Sequence, residues 1–72
     1  MNPASERLLE HFSYEHLPEP LRSISMQCAN LAAAMAATLD SDNPIAGAEV
    51  TTGLRKLLEA KDCFVRARRF VP

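Results

Sequence analysis

The sequence predicts an all-α protein: a short N-terminal helix followed by an antiparallel two-helix hairpin that oligomerises. Three observations carry this. Apolar residues recur at three- and four-residue steps through two long stretches. The strongest break signals, Leu17-Pro18-Glu19-Pro20 and Asp40-Ser41-Asp42-Asn43-Pro44, fall between the periodic stretches. The hydrophobic fraction of 47% is high for 72 residues, because a chain this small buries only about 60% of its unfolded surface. One domain over residues 1–72 is expected, with helices at about 3–12, 19–40 and 47–70.

The first helix opens at Asn2-Pro3, where Asn can cap and Pro fits the first turn. Leu8, Leu9 and Phe12 give it one short apolar edge. So short a helix does not persist alone and must dock on something larger. From Ser13 to Pro20 the chain reads as an ordered loop, since Pro18 and Pro20 disfavour the α region for the residues before them. This loop holds the single tyrosine, Tyr14, and one of two histidines, His16.

The second helix runs from about Pro20 to Leu39. Leu21, Ile24, Cys28, Leu31, Met35 and Leu39 form a coiled-coil-like seam. The residues between them are mostly Ser and Ala, which favours helix and lets neighbours approach from more than one side. The third helix is the longest pattern, Glu49 to Phe70; its start is open between Asn43-Pro44 and a point after Gly47, and regular helix is expected from about Ala48 because Gly47 weakens an earlier first turn. Val50, Leu54, Leu57, Leu58, Phe64 and Val65 make its apolar face, and Gly53, Ala60 and Ala67 leave a thin smooth stripe. If the turn centres near Ile45, antiparallel partners have numbers summing to roughly 91. Leu31 then meets Ala60, Ile24 meets Ala67 and Leu39 lies near Gly53, so that large residues face small ones.

Composition excludes several function classes. A net charge of −1 gives no bulk attraction to nucleic acid or membrane. Two cysteines without a CxxC spacing offer no zinc ribbon. No apolar run approaches about 18 residues, and no signal peptide is evident, so a soluble intracellular protein with reduced thiols is expected. No catalytic constellation stands out and no cofactor is expected. Cys28 and Cys63 fall nearly opposite each other in the hairpin alignment and read as small apolar fillers. His11 and His16, five apart, share no helix face and lack further metal ligands. Arg55–Glu59, Asp62–Arg66 and Lys56–Glu59 have ion-pair spacing along the third helix. Arg66, Arg68 and Arg69 complement the dipole at its end. Guanidinium groups also bind phosphate bidentately, and a loop tyrosine can stack on a base.

Taken together, the loop Phe12-Ser13-Tyr14-Glu15-His16-Leu17-Pro18, the Ala-rich helix, the Asn-Pro break and Leu54-Arg55-Lys56-Leu57-Leu58-Glu59-Ala60-Lys61-Asp62 resemble a known family. It is that of the phage-encoded helical-hairpin sponges, the anti-CBASS and anti-Thoeris hairpin domains. The resemblance covers about Phe12 to Arg66. It implies a non-catalytic protein that sequesters cyclic di- or trinucleotide immune signals in the host cytoplasm. It also implies a homo-oligomer, typically a hexamer built from dimers. The residues it marks for ligand are Tyr14, His16, Arg22, Lys56, Glu59 and Arg66, with Tyr14 stacking on a base and Lys56 and Arg66 meeting phosphates or ordering the oligomer. Relatives can carry a lysine in the first long helix; here Arg22 is the only basic residue of that helix. Cyclic dinucleotide, cyclic trinucleotide and cyclic ADP-ribose variants remain open as ligands. A small helical adaptor that binds a partner protein's helix is the alternative reading of the same apolar seam.

Overall fold

A computed structural model describes residues 2–72, and it is all-helical among them. Helix α1 spans Pro3–Glu10, α2 Leu21–Thr38 and α3 Pro44–Ala67, with a 3₁₀ turn at Arg68–Phe70 continuing α3. The molecule is a rod of 44 × 19 × 17 Å. Helices α2 and α3 pack along each other, and α1 lies against both, chiefly against α3.

Both asparagine–proline pairs act as helix starts. Asn2 Oδ1 accepts the Ala4 N–H at 2.7 Å, and Asn43 Oδ1 accepts those of Ile45 and Ala46 at 2.9 and 3.3 Å. The second cap corrects the expected start of α3 at Ala48: the helix is regular from Pro44, with Gly47 inside it. A Cβ on Gly47 would stand 3.3 Å from Asn2 Nδ2, a tight contact with the end of a side chain where the start of α1 meets the start of α3.

Helix α1 ends two residues earlier than its apolar edge suggests. The N–H groups of His11 and Phe12 fold back onto the carbonyls of Leu8 and Leu9, at 3.0 and 3.1 Å. That reversal aims the Phe12 ring inward, where it is only 2% exposed. Phe12, Cys28, Ala32 and Leu54 form the core, with Leu8, Leu9, Ala29, Val50, Leu57 and Leu58 packed around them.

The face that α2 buries overlaps the seam only in part. Cys28 belongs to both and is buried with Ser25, Ala32 and Ala36, and Leu21 and Ile24 are half-buried, whereas Leu31, Met35 and Leu39 stay 49%, 41% and 51% exposed. The cause is α1. The inner side of α2 has to admit two helices at once, and only small side chains let three backbones converge. The expected filling of the α3 stripe fails for the same reason. A Cβ on Gly53 would meet nothing within 4 Å, and Ala67 is exposed.

What remains is an open apolar groove between α2 and α3, with no α1 residue in its lining. One half is bounded by Met35, Leu39, Val50, Gly53, Leu54 and Leu57 with Glu49 at its edge, the other by Ile24, Gln27, Cys28, Leu31, Leu57 and Phe64. The two cysteines also part company: Cys28 is buried, but Cys63 is exposed on the charged side of α3 and fills nothing. No helix of the described residues is long and apolar enough to cross a membrane.

Candidate functional site

The loop between α1 and α2 is held at both ends by cations. At its start, Lys61 Nζ donates to the His11 carbonyl at 3.1 Å and sits 5.9 Å from the centre of the Phe12 ring, within cation–π range. At its end, Arg22 Nε donates to the Leu17 carbonyl at 2.9 Å. Between these anchors, the Leu17 N–H closes a turn on the Tyr14 carbonyl at 3.0 Å. Within that turn the Ser13 hydroxyl and the Tyr14 N–H both donate to Glu15 Oε2, each at 3.3 Å. The Glu15 carboxyl is held below its ordinary value by backbone N–H groups, its own first and then that of Tyr14. Desolvation opposes this, and the Ser13 hydroxyl and the nearby His16 add smaller lowering effects. Glu19 Oε2 accepts from Ser23 Oγ at 2.6 Å, which ties the entry of α2 as well. The loop is therefore a braced platform that presents Tyr14 half-buried and His16 exposed.

The far end of α3 reaches this platform. Arg66, Arg68 and Arg69 line a cleft of about 280 Å³ with Pro20, Leu21 and Val65. None of the three arginines forms an ion pair among the described residues. Arg66 Nη2 instead donates to Cys63 Sγ at 3.4 Å, and Arg68 Nη1 donates to the Val71 carbonyl. The ion-pair spacings in the sequence are not used: Asp62–Arg66, Arg55–Glu59 and Lys56–Glu59 do not close among the described residues, where their side chains are exposed. Solvated ends of long side chains gain little from pairing and lose rotamer freedom.

The six residues marked by the resemblance do not converge within one chain. Tyr14 and His16 lie in the loop, Arg22 is tied to the loop's Leu17 carbonyl, and Arg66 shares a cleft with Pro20 and Leu21 at the entry of α2. Arg22 is committed to the Leu17 carbonyl. Lys56 and Glu59 are exposed nearer the middle of α3. Ten residues of helix put Lys56 about 15 Å from Arg66 along the axis, too far for one phosphate to bridge. Arg68 and Arg69, read from sequence as dipole partners, are cleft residues. The signal for them was three guanidiniums within four residues at the end of the periodic pattern. Lys61 enters the sequence reading only as part of the Leu54–Asp62 run, yet it anchors the loop. Nothing short of the tertiary contact could have shown that.

Among the described residues no group of three or more His, Cys, Asp or Glu side chains could hold a metal ion. No protein-family model matches the chain, and neither a curated protein nor a solved structure matches it.

Proposed function

We propose that this chain is a non-catalytic binding protein that captures cyclic di- or trinucleotide second messengers of bacterial defence, inside a homo-oligomer of phage origin working in the host cytoplasm. The observation that carries it is the convergence at one end of the rod. The braced loop that bears the only tyrosine ends at Pro20, and Pro20 lines a cleft with Leu21, Val65 and three arginines that have no carboxylate partner among the described residues. A cyclic oligonucleotide presents the complementary chemistry: flat bases for Tyr14 and Leu21, and phosphates for the guanidiniums. Lys56 and Glu59 reach such a ligand only from a neighbouring copy, which is where assembly enters the mechanism. Sequestration needs no turnover. Slow release of a buried signal keeps its free concentration below what an effector requires.

The hairpin is part of this reading. Leu39 shares a cleft with Gly53, Ile24 with Phe64, and Leu21 with Arg68, which supports α2 and α3 running antiparallel. The exposed leucines and Phe64 support a dimer-based hexamer, since contiguous apolar surface of this kind marks interaction sites. The same surface favours a second reading, a helical adaptor that lays the groove against a helix of another protein. Calorimetry against a panel of cyclic di- and trinucleotides separates them. The sponge binds at least one member with a stoichiometry tied to its oligomer and releases it unmodified on denaturation; no heat with any member sinks the sponge reading and leaves the adaptor.

A further inference from the structure

Gly53 is an interior helical glycine that its own chain does not explain. It has ordinary negative φ, and a Cβ there would meet nothing within 4 Å. Glycine in a helix interior is unfavourable relative to alanine, so the missing side chain has no use within the protomer. It does, however, leave a notch in one half of the open groove, beside Met35 and Leu39. The other half carries Phe64, 56% exposed. Leu57 lines both halves and so lies between notch and knob.

We infer that the groove is covered by the same groove of a second copy, antiparallel to the first, with the Phe64 ring of each copy entering the Gly53 notch of the other. A surface with a notch at one end and a knob at the other is complementary to itself under a two-fold axis midway between Gly53 and Phe64, which is the requirement for an isologous dimer. Charge selects the same orientation. The α2–α3 turn at one end of the rod carries the exposed carboxylate of Asp42, while the other end carries Arg66, Arg68 and Arg69. An antiparallel pair brings acidic end to basic end twice; a parallel pair would set Arg69 beside its own copy. The smooth stripe of α3 is thereby an element between copies, open at Gly53 to receive a partner's side chain. This inference rests on the assembly half of the function proposed above, and its test needs no ligand.

The test reads mass and unfolding, with no nucleotide present. Sedimentation of the wild-type chain over a concentration series is expected to show a dimer or a multiple of it. Gly53→Leu is expected to weaken association by about tenfold or more. Gly53→Ala is expected to weaken it less while raising the helicity or thermal stability of the dissociated chain, and Phe64→Ala gives a second, independent loss. Orientation follows from charge: Asp42→Lys and Arg69→Glu each weaken association, and the double variant recovers it. A wild-type monomer at all concentrations overturns the proposal. Association indifferent to Gly53→Leu and Phe64→Ala overturns the face, and charge variants all alike overturn the antiparallel orientation.

Discussion

Ser5 Oγ and Thr51 Oγ1 meet at 2.9 Å inside the protein, with both residues buried. The pair joins α1 to α3 across 46 positions of sequence, and either hydroxyl can be the donor. It also explains why a helix of 8 residues stays in place. Leu8, Leu9 and the Phe12 ring supply the apolar contact, and the hydroxyl pair fixes where along α3 that contact falls. Deleting one member leaves the other buried without a partner, which costs about 1–3 kcal/mol, whereas replacing both with apolar groups of similar shape can be nearly neutral. Ser5→Ala and Thr51→Val are therefore each expected to lower unfolding stability by about that amount, and the double variant by clearly less than their sum. Chemical denaturation of the four proteins closes the cycle; strict additivity would mean the two hydroxyls do not interact.

Ser25 poses the reverse case. Its side chain is fully buried and its Oγ has no hydrogen-bond partner among the described residues. An unmade buried hydrogen bond costs about 1–3 kcal/mol, and alanine is the better helix former at an interior position of α2. Ser25→Ala is expected to raise stability by about 1 kcal/mol. Thermal unfolding checks it, and a fall in melting temperature would reveal a partner for this hydroxyl that the protomer does not contain.

Glu15 makes the loop pH-dependent. Its folded-state pKa lies below the unfolded value, so the order it confers is present above the unfolded value and lost as pH falls through the folded one. Acidification through the lower carboxylate range should release Ser13 and Tyr14 from Oε2 before the core unfolds. The chain has one tyrosine and no tryptophan, so intrinsic emission reports on Tyr14 alone. A change in that emission ahead of the loss of helical signal is expected, and Glu15→Gln should abolish the early step. If both signals move together in the native chain, Glu15 does not brace the loop.

The sequence made the helices legible because their ends are local chemistry. Asn2-Pro3 and Asn43-Pro44 cap with their own side chains, and no tertiary contact is needed to see it. Gly47 misled because its cost to the first turn is local, whereas the close approach of Asn2 beside it comes from more than forty residues away. Which face α2 buries was only partly legible. A helix with leucines on one seam and alanines on another can bury either, and the choice belongs to α1, whose contribution a two-helix alignment omits. Cys63 was misplaced by that same alignment. At the candidate site, the loop and its tyrosine were readable from the prolines. The arrival of Arg68 and Arg69 beside Pro20 depended on how far α3 runs past α2, and residue spacing alone does not fix that.

The arginine cleft and the loop give separable predictions for ligand. Tyr14→Ala should weaken binding of a cyclic oligonucleotide while leaving oligomer mass unchanged, because Tyr14 is only half-buried and lies outside the apolar groove. Arg69→Ala should weaken it by about tenfold, the scale of one charge-assisted hydrogen bond of about 1.5–3 kcal/mol. Arg69→Lys should recover only part of that, since an ammonium keeps the charge and loses the planar fork that grips a phosphate through two bonds. The two contributions also differ in their response to salt. Binding by the Tyr14 variant should retain the wild-type salt dependence, and binding by the Arg69→Ala variant should show a shallower one. Titrations at two ionic strengths measure this, and an Arg69→Lys variant as tight as wild type would mean that the cleft supplies charge without geometry.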